Sequence, residues 1–438
     1  MEILRKCTLA STWLAGLGCV LFSGFLHAAA PSLPLEHAIT EAVPGALITV
    51  PPGIYRVNLL LTKAVTLAGE PGAVLDGGGK GDVIRIAASD VTVRNLTIRH
   101  SGTNLTTMDA GVFIERKARR VTVASDRFED VLFGVYLDGS ADVQVLDNRI
   151  AGIPSLRLSD RGDGIHLWND TGVVVKGNDI SGTRDGIYIY ISPHNRIVGN
   201  RIHDLRYGIH YMYSNHDLIA DNFTYHTQAG FALMSSDHLQ VYGNRSENDI
   251  SYGILLNYVT YSDFADNVIR GTTGESGMGA GIIPGAEGKG IFVYNSEFNS
   301  FHDNTIEDCP IGIHVTAGSD QNQIYGNMFA DNRVQVKYVQ NIAEEWSRDG
   351  AGNYWSDYVG WDLDGNGIGD VPYRPNDGVD VLLWKYPSAR LLLNSPAILA
   401  LRAVQRAFPV FMPPSIQDSH PLMRSPLPKR NLTYAEHY

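Results

Sequence analysis

A glycine followed by a branched or aromatic apolar residue returns along this chain at a step of 22. GIHL at 164, GIYI at 186, GIHY at 208 and GFAL at 230 form the regular centre of a comb running from GVFI at 111 to GIHV at 312. A second comb keeps the same phase, with GNDI at 177, GNRI at 199, DNFT at 221 and GNRS at 243. Two independent markers on one period identify a structural repeat. Twenty-two residues are too few for two helices and a turn, but they hold two or three short strands. That is one rung of a parallel β-solenoid, stacked on its neighbour at about 4.8 Å. The expected class is therefore all-β, a parallel β-helix of roughly a dozen rungs over residues 46–341. Asn200, Asn222 and Asn244 of the second comb suit turns with unusual backbone angles, where stacked amides can bond along the axis.

Two steps are longer than the period, and both mark insertions: GIPSLRLSDRG (152–162) and the Gly-rich GTTGESGMGAGIIPGAEGKG (271–290). Ahead of the rungs, residues 31–45 contain LPLEHAITEAVPG, a short amphipathic helix suited to covering an open solenoid end. Behind them, 342–389 is aromatic, acidic and Gly-rich, and 390–438 reads as a helix followed by a Pro-rich, extended tail expected to dock on a partner.

Strand alternation sorts the side chains of each rung. Residues one and three after the glycine are apolar almost throughout, as in Ile187/Ile189 and Ile209/Tyr211, so they fill the interior. Residues two and four must face outward: His166/Trp168, Tyr188/Tyr190, His210/Met212 and Ala232/Met234. A solvated sheet would carry Lys, Glu, Thr and Ser there. Met212 and Met234 hold the same position in adjacent rungs, about 5 Å apart. With His210 on the same face and His216 and His238 in equivalent turns, they make a soft donor set suited to Cu(I). Trp168, Tyr188 and Tyr190 would supply a stacking surface for a sugar or a partner protein. The alternative is that the stripe is a second core, lying under the 271–290 insertion or the C-terminal segment.

Other motifs give weaker readings. Asp362, Asp364 and Asn366 alternate ahead of Gly367, as in the first half of an EF-hand loop, and Asp370 is a further oxygen ligand for Ca²⁺. The twelfth position is Tyr373, so the bidentate acid is missing, and a plain tight turn is the competing reading. Asp163 and Asp185 precede the glycine in adjacent rungs, about 5 Å apart, near the separation of a retaining glycosidase pair. They carry the rival reading, a β-helix that modifies polysaccharide. A net charge of −12 leaves no basic footprint for nucleic acid. The start, MEILRKCTLASTWLAGLGCVLFSGFLHAAA (1–30), has a basic n-region, an apolar run and a small-residue end, and reads as a Sec signal peptide. Its removal takes Cys7 and Cys19, leaves Cys309 without a disulfide partner, and leaves no stretch apolar enough to span a bilayer.

VTVRNLTIRHSG (91–102), RYGIHYMYSN (206–215), GNYWSDYVGWDLDGNGIGDVPYRP (352–375) and the tail DSHPLMR (418–424) together resemble the NosD family. These are periplasmic accessory proteins for copper-site assembly in nitrous oxide reductase, and the resemblance runs the length of the mature chain. It implies a right-handed parallel β-helix that is not an enzyme. It also implies an ABC transporter (ATPase and membrane subunits) as partner, a membrane-anchored copper chaperone as donor and nitrous oxide reductase as client. The copper ligands named above come from the stripe and not from the resemblance; Met423 in the tail is a further candidate to relay copper.

Overall fold

The computed structural model describes residues 33–274, 286–316, 318–392, 395–407 and 414–426. The signal-peptide segment 1–30, the middle of the second insertion and the last residues of the tail lie outside them.

The rungs coil into three parallel sheets of 12, 13 and 12 strands, each strand paired with its equivalents one rung before and after. The first sheet opens with Ala46–Val50, the second with Gly53–Arg56 and the third with Leu59–Leu61. Strands of the first two sheets are mostly three residues long, while the third sheet carries longer ones such as Tyr207–Met212 and Ala229–Asp237. Register follows the repeat: Ile187 pairs with Ile209, and Ile209 with Phe231. Both columns expected inside are interior, with Ile187, Ile189, Ile209 and Tyr211 fully buried. Each such side chain contributes about 1.5–3 kcal/mol.

The comb's glycine has a packing cause. A Cβ on Gly186 would lie 2.3 Å from Ile202 Cγ2 and 2.5 Å from the carbonyl oxygen of Gly208. The corner it makes is too tight for any side chain. The Asn comb forms a continuous ladder on the axis. From Asn148 through Asn178, Asn200, Asn222, Asn244, Asn267, Asn304 and Asn327 to Asn353, each Nδ2 donates to the next Oδ1 at 2.9–3.0 Å. Every rung from Asn148 onward thus satisfies a buried amide that would otherwise cost about 1–3 kcal/mol.

Helix α1 (Leu33–Glu41) meets the first rung with Leu35 and Ile39 buried, and Lys63 Nζ donates to the carbonyl oxygens of Thr40 and Ala42 at its C-terminal end. At the far end Phe329, Trp355 and Tyr373 stack at 4.5 and 4.6 Å, with Trp346 beside them at 6.3 Å. Helices α2 (Gly378–Lys385) and α3 (Pro396–Ala407) sit together through Val379, Leu383 and Ile398.

The tail departs from expectation. Ile416–Gln417 adds a parallel strand to Glu344–Glu345, and Asp418 Oδ2 accepts from the Asn353 backbone N–H at 2.7 Å and the Trp355 indole at 2.8 Å. Residues 414–426 therefore close the chain's own solenoid. A Pro-rich composition keeps a segment extended, and here the extended segment found an unpaired edge to complete. Among the described residues no helix is long and apolar enough to cross a membrane.

Candidate metal-binding face

The third sheet turns two columns of side chains outward. Paired register places Tyr136, His166, Tyr188, His210 and Ala232 in one, and Asp138, Trp168, Tyr190, Met212 and Met234 in the other. The first column is a pile of rings: Tyr136 to His166 at 4.5 Å, His166 to Tyr188 at 4.7 Å and Tyr188 to His210 at 4.7 Å between centroids. In the second, Trp168 and Tyr190 stack at 4.6 Å and 17°. Trp168 and Tyr190 thus turn faces toward each other along the axis, while Tyr188 is tilted to His166 and meets His210 edge-on.

Met212 and Met234 are direct register partners, each partly exposed at the edge of this pile. The Tyr188 hydroxyl donates to Met212 Sδ at 3.5 Å. Burial pushes the Tyr188 phenol up to about 12, so it stays protonated and able to donate. Two thioethers on adjacent rungs at the rim of an apolar pile suit a soft, weakly hydrated ion.

His210 faces out of the solenoid as expected, but it is only 7% exposed, wedged between Tyr188 and Tyr207. Its Nδ1 lies 3.0 Å from Asp185 Oδ2, which leaves Nε2 as its free donor atom. A carboxylate behind an imidazole fixes the tautomer and raises ligand basicity, the usual backing of a metal-binding histidine.

Asp163 and Asp185, the pair that raised the glycosidase reading, are both completely buried. Asp163 meets His166 Nδ1 at 2.8 Å and Arg184 at 3.2 Å; Asp185 takes both Nε and Nη2 of Arg206 at 2.8 and 2.6 Å. Burial alone would raise the Asp185 carboxyl, yet the hydrogen bonds and charges of His210 and Arg206 hold it down at about 2. Saturated by cations and shut from solvent, neither acid can reach a glycosidic oxygen. Their role is to hold the outward histidines. The signal was present in the sequence: Arg184 and Arg206 keep the same 22-residue step as the two acids.

His216 and His238 sit at the corner between the third and first sheets, with φ of 61° and 53° and ring centroids 4.8 Å apart. Two neighbours escaped the sequence reading. His194 stacks on His216 at 5.3 Å, and Asp237 Oδ1 lies 2.6 Å from His238 Nδ1. His194 could have been found by stepping back one period from 216.

The remaining candidates lie at the closing end. Asp362 Oδ1 accepts from Gly365 N at 2.7 Å and Oδ2 from Gly367 N at 2.8 Å, Asn366 Oδ1 from Ile368 N at 2.7 Å, and Asp370 Oδ2 from Leu363 N at 2.7 Å. These backbone donors, Gly367 foremost, lower the Asp362 carboxyl. The loop that resembled half an EF-hand closes on its own amides, with Asp364 Oδ2 taking the Asn366 side chain at 2.9 Å. Met423 packs beside it, its N–H on the Gly367 carbonyl at 3.0 Å. Five rungs of the third sheet separate that end from Tyr207–Met212, about 24 Å at the inter-strand spacing. Met423 therefore belongs to the end closure and not to the Met212 and Met234 pair.

Solved structures share the coil but little sequence. The Dettilon tailspike protein matches 73% of this chain and 66% of its own at 16% identity and a TM-score of 0.53. The surface adhesin PfbA of Streptococcus pneumoniae matches 70% of this chain and 95% of its own at 13% identity, also with a TM-score of 0.53. Sequence relatives are far closer. The probable ABC transporter binding protein NosD of Pseudomonas aeruginosa is 56% identical over 374 residues, 85% of this chain and 87% of that one. Its counterpart from Stutzerimonas stutzeri is 52% identical over 417 residues, 94% of each. Both names describe binding proteins and not enzymes. The family model described as periplasmic copper-binding protein (NosD) matches residues 147–360, the span that holds the ring pile from His166 onward, the thioether pair and the Asn ladder. With this identity spread over nearly the whole length, the chain belongs to the NosD family.

Proposed function

We propose that this protein works in the periplasm as a copper-handling accessory protein in copper-site assembly of nitrous oxide reductase, holding Cu(I) transiently between Met212 and Met234. The observation that carries the reading is the register pairing of these two thioethers on the open face of the third sheet. His210 Nε2, oriented through Asp185, is a further donor in the adjoining column of the same strand as Met212. A weak, rim-exposed site of thioethers suits an ion that must be passed on, because soft donors favour Cu(I) and few ligands allow exchange. The family description and the relatives' names support a periplasmic copper role beside an ABC transporter. Its ATPase and membrane subunits are then the standing partners, a membrane-anchored chaperone the donor and the reductase the client.

Anaerobic Cu(I) titration of the mature chain against a competing chelator tests the site. The double variant Met212→Ala, Met234→Ala should lose at least tenfold in affinity while keeping its melting profile. Equal stoichiometry and affinity in wild type and variant would sink the assignment.

A further inference from the structure

We propose that the corner of the solenoid at His216, Asp237 and His238 is a second metal site, distinct from the thioether pair, which takes a divalent transition ion and prefers Cu(II). One ligand atom from each of the three residues lies within 4.8 Å of the others. The two imidazoles and one carboxylate are borderline-to-hard donors, a set that disfavours Cu(I) and ranks divalent ions with Cu(II) at the top.

The backbone builds the corner. His194, His216 and His238 each adopt a left-handed conformation, φ 64°, 61° and 53°, in three successive rungs. That region is costly for most side chains, with Asn, Asp and His the best tolerated after Gly, and the same corner stays left-handed at Tyr261 and Phe298 in the following rungs. Here it throws three imidazoles outward at one point of the cross-section. His216 N–H donates to the Asp237 carbonyl at 3.2 Å, and Asn215 Oδ1 accepts from Asp237 N–H at 3.0 Å, so the Asp237 backbone is pinned from both sides. Asp237 Oδ1 in turn holds His238 Nδ1 at 2.6 Å. An ion taken up here replaces the proton shared by that pair, so His238 and Asp237 bind it through the atoms that already face each other. The histidines border a cleft of about 380 Å³ lined also by Asn195, Arg196 and Gln240, with room for an ion and its waters.

The ring stack alone would be served by any aromatic residue, and the column does continue with Tyr261 and Phe298, at 5.6 and 5.0 Å. Those pairs are nearly parallel, at 20° and 5°, whereas His216 and His238 are tilted by 30°. Two nitrogens bound to one ion at about 2.0–2.1 Å lie roughly 3–4 Å apart. Exposed side chains close the present spacing by rotation about χ1 and χ2, without backbone movement.

The proposal stands on its own donors and does not depend on the thioether reading. Untagged, chelator-stripped mature chain is titrated with Cu(II) in air, followed by electron paramagnetic resonance, and with Zn(II) by calorimetry. The expected result is one tight Cu(II) per chain with nitrogen superhyperfine structure, and Zn(II) binding that Cu(II) displaces. His216→Ala and His238→Ala should each weaken Cu(II) binding 10- to 100-fold. Asp237→Asn should weaken it about tenfold. The double variant Met212→Ala, Met234→Ala should leave Cu(II) binding unchanged, which separates this site from the other. All three altered residues are at least partly exposed, so unchanged circular dichroism is expected. Wild-type Cu(II) affinity in the His216→Ala, His238→Ala double variant, or a Cu(II) spectrum without nitrogen coupling, overturns the proposal.

Discussion

Asp126 stands where the ladder calls for asparagine. Its backbone N–H donates to Asn148 Oδ1 at 2.9 Å, its Oδ1 accepts from Leu96 N–H at 2.8 Å, and its Oδ2 has no partner. Burial pushes the carboxyl from 3.8 up to about 8. Between those values the folded chain holds a proton that the unfolded chain has released, so stability falls as pH rises through the window. Asp126→Asn supplies the missing amide and does not titrate. Chemical denaturation should find the variant more stable than wild type, by on the order of 3 kcal/mol at pH 8 and by little at pH 4. Asp185 is the opposite case. It is an ionised acid facing the half-buried Arg206 and the buried His210, so Asp185→Asn removes the charge that both are paired with and should cost on the order of 3 kcal/mol. It should also weaken any Cu(I) site that uses His210.

At the scale of elements, the solenoid's two ends solve the same problem with different pieces. Helix α1 covers the first rung, and the tail covers the last together with Trp346 and Trp355. Removing residues 414–438 uncovers Trp346 and Trp355, which are 0% and 1% exposed, and leaves Asn353 without Asp418. The expected cost is about 4 kcal/mol, read as a lower melting temperature with self-association in light scattering. A partner-binding assay on such a truncation would therefore report loss of the cap. The rungs themselves were legible from the sequence because period, glycine corner and amide are all local to 22 residues. The cap was not, because Asp418 and Asn353 are 65 residues apart and no periodicity links them. The roles of Asp163 and Asp185 were half legible. Their spacing was read, but the arginines on the same step that neutralise them were not.

Over the whole molecule, acids shut inside a narrow coil dominate the response to pH. Burial raises Asp170 to about 7, Asp217 to about 8 and Asp249 to about 6, alongside Asp126. Folded carboxyls with raised values favour the protonated side, so calorimetry should give a melting temperature that falls from pH 5 to pH 8. Asp185 and Asp179, held low by their cationic neighbours, act only in acid: their contribution is complete above about pH 4 and is lost as the pH drops below it. The outer face was legible as to which residues point outward, since alternation fixes it. Which of them keep a free donor atom was not, because Asp185 reaches His210 from the rung before, itself held by Arg206, and Tyr207 packs on it from the start of its own strand.

The amide ladder also has a direction. Every Nδ2 from Asn148 to Asn327 points to the rung that follows, so nine side-chain dipoles add head to tail down the axis. Such an array is a wire with a positive pole at Asn353 and a negative one at Asn148, comparable in kind to a helix macrodipole. A positive pole made of N–H donors can be terminated only by an acceptor. Asp418 meets it with a carboxylate oxygen, 3.3 Å from Asn353 Nδ2. The negative pole abuts Asp126, whose proton keeps a like charge from forming there. The coil is therefore polar in the electrical sense, and a copied rung inserted anywhere along it would extend the wire, while one inserted in reverse would break it.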